Sequence, residues 1–233
     1  MKTEIKRQSV HFLGILLGLF IVYQGFYDSL RLLAGLVFAT LLFNWYYGKR
    51  HDRRASFKDT INDSWIISKT KREEIVKSAD KFYEFEEKLF EKILDKTGLR
   101  DREEDPTIPP LYFFISSLIC LIFLGREITV LVIITLAVGD SLSAIVGKKY
   151  GKHKIHWSKK KSYEGTIAFF IFVFIAIYIF ISFLPEFAIF HPITLSLSAA
   201  LFGALIETEP TLTDNFSIPV FTGVILYLIA YLI

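Results

Sequence analysis

Four acidic residues and one lysine-rich segment hold the side chains whose types and spacing favour chemistry. The acids are Asp140, Glu164, Glu207 and Asp214, and each lies at the end of an apolar segment. Between the first two, Lys148–Lys161 contains seven lysines and no acid. A hard cation such as Mg2+ binds one or two carboxylates together with phosphate oxygens, and lysine ammonium groups suit phosphate. The pattern predicts a site for a phosphate-bearing molecule and a divalent cation.

Each of these features also has a structural explanation. Lysines beside a membrane segment hold it in orientation, which accounts for the lysines from 148 to 154 without any ligand. Asp214 and Asn215 are of the types that cap helix N-termini. The orientation of the spans does not explain why acids recur at the ends of neighbouring apolar segments on one side of the membrane.

Two residues near the N-terminus extend the predicted site. Arg7 and His11 are four residues apart and therefore share one face of the entering helix. A histidine at a membrane border is commonly interfacial filler. Together with Arg7, on the same membrane face as the acids, it is predicted to hold phosphate.

The composition indicates a polytopic helical membrane protein. Of the 233 residues, 52% are hydrophobic and 16% aromatic, and successive apolar runs approach the about 20 residues that span a bilayer. The single cysteine, Cys120, excludes an intramolecular disulfide and a multi-cysteine metal site. The GxxxxGK[ST] phosphate loop, the protein-kinase motifs and HExxH are all absent from the sequence. No nucleic-acid partner is predicted.

The predicted fold is all-α, a transmembrane helical bundle of about seven spans with a cytoplasmic helical insert. The first apolar run follows a basic start, but no small-residue cleavage pattern follows it, so we predict an uncleaved span. The predicted spans are His11–Tyr23, Leu30–Tyr47, Pro110–Leu124, Ile128–Val146, Thr166–Leu184, Ile193–Ile206 and Phe216–Ile233.

Charge predicts which membrane face carries the site. Threading the spans back and forth places the N-terminus and residues 48–109, 147–165 and 207–215 on one side. That side carries all of the 27 Lys and Arg residues except Arg31 and Arg126, so the positive-inside rule makes it cytoplasmic. The acids and the lysine-rich segment lie on this face. The membrane is predicted to be the cell membrane in a prokaryote and the endoplasmic reticulum in a eukaryote.

The domain boundaries follow from the charge distribution. Residues 1–48 are predicted to hold the first two spans, 49–108 the insert and 109–233 the catalytic region. From Lys69 to Lys96 the insert has eight Lys or Arg and eight Asp or Glu residues, and this neutrality argues against adsorption to anionic lipid. Packing on the membrane domain or on a second subunit is favoured, which leaves a homodimer open. Apolar residues recur at helical spacing at Ile75, Ala79, Phe82, Leu89 and Ile93.

The segment from Gly139 to Ala168 resembles the CTP-binding segment of the CTP-dependent lipid-alcohol kinases, which include dolichol kinase, phytol kinase and the yeast-type diacylglycerol kinase. The family pattern is roughly D-[ST]-x-A-x-x-x-G-x-x-x-G, a short loop, then K-K-[ST]-x-E-G-[ST]. One position departs from it, because Ser143 precedes Ala144 where the pattern has its alanine. The pattern is met by Asp140, Ser141, Gly147, Gly151, Lys160, Lys161, Ser162, Glu164, Gly165 and Thr166.

Two further family motifs fit in chain order. The first is ExxRxxxH, and the second is an acidic E…DN…IP pattern. The charged insert is not part of the resemblance. The matching residues are Glu4, Arg7 and His11, then Glu207, Asp214, Asn215, Ile218 and Pro219.

The resemblance implies transfer of the γ-phosphoryl group of CTP to the hydroxyl of a membrane lipid alcohol, with a polyprenol or dolichol-type isoprenoid as the predicted acceptor. The implied catalytic residues are Asp140, Glu164 and Asp214. A divalent cation, Mg2+ or a similar ion, is assigned to Asp140, Glu164, Glu207 and Asp214. The nucleotide is assigned to Gly147, Gly151, Lys160, Lys161, Ser162, Arg7 and His11.

Two other functions remain as alternatives. A cytidylyltransferase would make a CDP-lipid from CTP, but its usual D-x-x-K-D and D-R-x-D segments are absent from this sequence. A membrane transporter is less favoured, because the acids cluster at one face and a through-path needs polar groups deeper in the bundle.

Overall fold

The computed structural model describes residues 2–63, 68–97, 108–183, 191–211 and 213–232, and within these ranges the side chains of 2–12, 50–51, 90, 93–97, 159 and 232 lie outside the description. The described residues are all-α apart from one short β-hairpin, with eight helices in total. In chain order the elements are α1 (Lys2–Tyr23), α2 (Phe26–Gly48), α3 (Arg50–Asn62), α4 (Lys69–Thr97), α5 (Ile108–Tyr150), β1 (Lys154–Ile155), β2 (Ser158–Ser162), α6 (Tyr163–Phe183), α7 (Pro192–Glu207) and α8 (Asp214–Leu232).

The prediction of seven spans is wrong in number. Four helices in the described part of the chain are long and apolar enough to cross a membrane, which indicates an integral membrane protein. Two predicted spans are shorter apolar helices, Leu13–Tyr23 and Pro192–Glu207, and two others lie within the single element α5. The four long helices are Phe26–Gly48, Ile108–Tyr150, Tyr163–Phe183 and Asp214–Tyr231.

Helix α5 breaks and folds back on itself at Gly125. This glycine has φ +84° and ψ 172°, a region that is essentially restricted to glycine. A Cβ atom at Gly14 would lie 3.5 Å from Phe113 Cζ and 3.3 Å from Ala137 Cβ. Phe113 and Ala137 would be about 36 Å apart along a straight helix, so the two halves of α5 must lie side by side.

The second half of α5 is the central helix of the bundle. Every residue from Ile128 to Ser141 is buried, as expected for a helix that is apolar on all sides. Helix α1 packs against it antiparallel through Gly14 and Gly18, whose missing side chains let the two backbones approach. Asp140 therefore lies near the end of the most deeply buried segment.

The chain divides into two compact units, one formed by residues 1–38 with 109–233 and the other by residues 39–108. In the second unit, α3 packs on α4. Asp80 on α4 accepts ion pairs from Arg54 and Lys58, each at 2.9 Å, and the rings of Phe57 and Tyr83 meet edge to face. Hydrogen bonds from Lys58 and Arg54 lower the pKa of the Asp80 carboxyl below its ordinary value.

Candidate active site

One lysine joins two of the predicted acids. The Nζ atom of Lys161 lies 2.6 Å from Oε1 of Glu207 and 2.8 Å from Oδ2 of Asp214. Lys161 comes from β2, Glu207 from the last turn of α7 and Asp214 from the first turn of α8. Residues far apart in the sequence thus meet at one end of the bundle.

Glu207 is the most enclosed member of this group. Its side chain is 2% exposed, and both carboxylate oxygens accept hydrogen bonds. The hydroxyl of Ser143 donates to Oε1 at 3.3 Å, and the hydroxyl of Thr166 donates to Oε2 at 3.2 Å. Glu207 thereby links α5, β2 and α6 to the end of α7.

Asp140 lies within electrostatic reach of the same lysine. Burial alone would lower the pKa of the Lys161 ammonium, but the negative charges of Asp214, Glu207 and Asp140 outweigh it and raise the pKa above its ordinary value. We call Asp140, Lys161, Glu207 and Asp214 the acid cluster. When all four groups are ionised, three carboxylates face one ammonium, so the cluster keeps a negative charge that favours a further cation.

Close packing about one helical turn away from the acid cluster fixes the geometry of the cluster. The ring of Phe169 on α6 is fully buried and fills the space beside Gly139 on α5 and Gly203 on α7. A Cβ atom at Gly203 would lie only 2.8 Å from this ring, and one at Gly139 would overlap it. These glycines therefore let α5, α6 and α7 converge within about one turn of Asp140, Thr166 and Glu207.

The start of α8 is also anchored. The amide Nδ2 of Asn215 donates to the backbone carbonyl of Pro109 at 3.0 Å, and the Ser116 hydroxyl donates to the backbone carbonyl of Asn215 at 3.0 Å. These bonds hold the neighbouring Asp214 toward Lys161. The buried Oγ of Ser141, next to Asp140, has no hydrogen-bond partner among the described residues.

The lysine-rich segment forms an antiparallel β-hairpin with His156 and Trp157 at its turn. Lys160 and Lys161 do not act alike, because successive strand residues point to opposite faces. Lys161 faces the acid cluster, whereas Lys160 is exposed. The indole Nε1 of Trp157 donates to Oγ1 of Thr208 at 3.4 Å, which ties the turn to the end of α7. Among the lysines of the segment whose side chains are described, Lys148, Lys149, Lys152 and Lys154 are also exposed.

The two glycines predicted to contact nucleotide pack around Ser162. A Cβ atom at Gly147 would lie 3.1 Å from Ser162 Oγ, and one at Gly151 would overlap the Gly147 carbonyl oxygen. Ser162 Oγ in turn accepts the backbone N–H of Gly165 at 3.2 Å. These contacts join the end of α5 to the hairpin and to the start of α6.

Glu164 binds a loop rather than Lys161. Its Oε1 atom accepts the backbone N–H groups of Lys152 and His153, each at 3.2 Å, and lies 2.7 Å from Nδ1 of His153. It therefore shapes the connection between α5 and β1. Across the described residues, no group of three or more His, Cys, Asp or Glu side chains is arranged to hold a metal ion by itself.

The phosphate-binding role of Arg7 and His11 stays a prediction, because their side chains lie outside the described residues. Ser143 was not predicted as a partner of Glu207, although it is three residues after Asp140 and so shares its helix face. The anchoring role of Asn215 was not predicted either.

The chain is similar to a cytidylyltransferase family and to several kinases of isoprenoid alcohols. Residues 98–207, slightly less than half of the chain, match the model of the cytidylyltransferase family CTP_transf_1, and this region includes Asp140, Lys161, Glu164 and Glu207. The sequence is distantly homologous to dolichol, phytol and farnesol kinases. No solved structure matches the chain.

Three relatives illustrate the extent of the match. Dolichol kinase of Saccharomyces cerevisiae is 37% identical over 92 residues, which are 38% of this chain and 17% of that protein. Phytol kinase 1 of Arabidopsis thaliana is 31% identical over 137 residues, 54% of this chain and 45% of the relative. Farnesol kinase of the same plant is 29% identical over 111 residues, 45% of this chain and 36% of the relative. The chain thus spans less than half the length of these relatives.

Proposed function

We propose that this chain, which is homologous to dolichol, phytol and farnesol kinases, transfers the γ-phosphoryl group of CTP to the hydroxyl of an isoprenoid alcohol. The observation that carries the proposal is the acid cluster around Lys161. Three of its four members lie in the matched region, and it is at one end of apolar helices beside an exposed lysine-rich hairpin. A charged nucleotide and an apolar alcohol can meet only at such a border.

The exposed lysines supply the nucleotide side of the site. Triphosphate carries several negative charges, and Lys148, Lys149, Lys152, Lys154 and Lys160 lie together on and beside the hairpin. Lys161 is already paired with two carboxylates, so its role is to hold Glu207 and Asp214 in place and to present one charge to the phosphates. Arg7 and His11 are proposed as further phosphate contacts.

The carboxylates fit a hard divalent cation. Asp140, Glu207 and Asp214 provide oxygen ligands and an excess of negative charge, and Mg2+ commonly uses one or two carboxylates plus phosphate oxygens. When bound, Mg2+ neutralises charge on the transferring phosphates. We assign it to Asp140 and Asp214, because Glu207 already accepts hydrogen bonds from Lys161, Ser143 and Thr166.

The reaction balances within this set. The alcohol oxygen attacks the γ-phosphorus, the bond from that phosphorus to the β,γ-bridging oxygen breaks, and CDP leaves. Asp140 accepts the hydroxyl proton. The hydroxyl of Ser141, which has no partner within the described ranges, is adjacent in sequence and can donate to a phosphate oxygen. The isoprenoid chain would lie along the apolar exposed side of α6, where Ile171, Ile175 and Ile179 face outward.

Labelled CTP tests the proposal directly. Purified protein in lipid bilayers is supplied with a polyprenol, phytol or farnesol and with CTP labelled at the γ- or α-phosphate. A kinase moves only the γ label into the lipid and releases CDP. Asp140→Asn should abolish this transfer, whereas Asp28→Asn, which changes an exposed acid outside the matched region, should leave it intact.

A second candidate has one observation in its favour. The matching family model is described as a cytidylyltransferase family, and such an enzyme would make a CDP-lipid from a lipid phosphate. Supplied with a lipid phosphate in place of the alcohol, such an enzyme would retain the α label in the lipid and release pyrophosphate. That outcome would replace the kinase proposal.

A further inference from the structure

Helix α4 has two faces in contact with different surroundings. The face that carries Asp80 and Tyr83 packs on α3 through the ion pairs and ring contact described above. The opposite face exposes a stripe of large apolar side chains at helical spacing. The exposed fractions are 61% for Phe82, 65% for Phe85 and 46% for Leu89. This stripe is unusual in a helix that is otherwise charged.

The charges of α4 are neutral in sum but separated around the helix. At about 100° per residue, Lys81, Lys88 and Lys92 form a row directly beside the apolar stripe. The next row around the helix consists of glutamates, on the side away from the stripe. Both rows are exposed. The glutamate row is Glu73, Glu84 and Glu91.

In the first turns of α4 the separation of lysines and glutamates into two rows is less strict. Glu74 shares the sector of the lysine row, but Lys71 and Lys77 are three residues away on either side and can pair with it. The helix as a whole has equal numbers of positive and negative side chains. Its exposed apolar stripe is nevertheless flanked by lysines, so the neutrality of the whole helix does not apply to this face.

From this arrangement we propose that the exposed face of α4 lies on the surface of an anionic phospholipid bilayer. The apolar stripe enters the headgroup region, and the lysine row extends its ammonium groups to the lipid phosphates. A bilayer is available, because α2, whose second half belongs to this unit, and α5, which follows α4 in the chain, are long and apolar enough to span one. The glutamates remain in water.

A second copy of the chain fits this face less well. In an antiparallel two-fold pair of helices, the lysine row would face its own copy, and like charges repel. Three exposed side chains also offer much less than the about 800 Å2 per partner of a stable interface. Charge and area both favour lipid.

The test uses the full chain in bilayers and reads the depth of a spin label. Ser78 is exposed and lies seven residues before Phe85, on the apolar stripe, so Ser78→Cys carries the label without removing an apolar side chain. Glu84→Cys, in the glutamate row, is the matched control position. Cys120 is buried, and the parent chain treated with the same reagent gives the background.

In bilayers of phosphatidylcholine with phosphatidylglycerol, the Ser78 label should be several-fold more accessible to oxygen than to a water-soluble nickel chelate. The Glu84 label should show the reverse. Replacing Lys81 and Lys88 with Gln should reduce the oxygen preference at Ser78 to about onefold, so that oxygen and the nickel chelate become similarly effective there. Lys69→Gln, which removes an exposed lysine from the opposite side of α4, should leave it unchanged.

Two outcomes would overturn the proposal. If both labels are equally accessible to the nickel chelate, the stripe is in water. If the Ser78 label is shielded from oxygen and nickel alike, the stripe is covered by protein, and spin–spin broadening would identify that protein as a second copy. Pure phosphatidylcholine should weaken the oxygen preference, because it removes the anionic partner of the lysines.

Discussion

Lys161 Nζ, 2.6 Å from Glu207 Oε1 and 2.8 Å from Asp214 Oδ2, connects the last turn of α7 to the first turn of α8. Glu207 is poorly placed for its own helix, because a carboxylate at a helix C-terminus opposes the helix dipole. Its side chain is also 2% exposed. The ammonium of Lys161 offsets both costs, so the two helix ends depend on one side chain from the hairpin.

Truncating that side chain should destabilise the protein. Lys161→Met leaves Glu207 buried without its ion pair, and breaking a buried pair in this way costs about 3 to 5 kcal/mol. The matched control is Lys160→Met, an exposed neighbour, which should change the free energy of unfolding by less than about 0.5 kcal/mol. Thermal unfolding followed by circular dichroism in one detergent measures both. Equal effects would show that the Lys161 pair is not structural.

The difference in the free energy of unfolding between wild type and Lys161→Met should depend on pH with a definite sign. The pKa of Lys161 is raised above its ordinary value of 10.5, so the folded state keeps this proton more tightly than the unfolded state. The stabilisation is fully present below pH 10.5 and is lost as the pH rises through the folded pKa. As the pH is raised toward 10.5, the stability gap between wild type and Lys161→Met should persist, and it should close only as the pH passes the folded pKa of Lys161. A gap that closes on the alkaline side before pH 10.5 would contradict the assignment.

The sequence was informative where a pattern is local. The apolar runs predicted an all-α membrane bundle, and the break between two of them became the reversal at Gly125. The spacing of apolar residues also predicted α4. These features depend on residues near one another in the chain, so periodicity and glycine alone can specify them.

Pairings outside a single helix were not predictable in this way. The lysine run has poor strand propensity and no Asn-Gly turn, yet Lys154 and Ser162 pair across a hairpin. Lys160 and Lys161 are adjacent and chemically identical. They differ only because successive side chains of a strand point to opposite faces. Whether these residues bind nucleotide or metal stays a prediction, as does the division of the chain at residues 48 and 108.

Close packing around Phe169 gives a third prediction. Gly203→Ala places a methyl group about 2.8 Å from the ring, and such overpacking should cost about 1 to 3 kcal/mol of stability. Gly35→Ala is the matched control, because nothing lies within 4 Å of a Cβ there, and alanine should stabilise that exposed helix position by about 0.5 to 1 kcal/mol. Combining Gly203→Ala with Phe169→Leu should recover much of the loss in the same unfolding assay. A Gly203→Ala protein as stable as wild type would show that the helices can separate without cost.

A substitution at Glu164 distinguishes two roles for its carboxylate, shaping the loop before the hairpin or holding the metal ion. If its carboxylate shapes the loop that carries Lys152 and His153, Glu164→Gln should raise the KM for CTP about tenfold, because charge-assisted hydrogen bonds to that loop are worth about 1.5 to 3 kcal/mol. The Mg2+ concentration for half-maximal rate should stay the same, and Glu209→Gln, an exposed acid near the site, should change neither value. If Glu164 instead holds the metal ion, as its place in the acidic pattern predicts, kcat should fall and the Mg2+ requirement should rise. Titrating CTP and Mg2+ independently distinguishes the two, because loop geometry acts on nucleotide binding and a metal ligand acts on the ion.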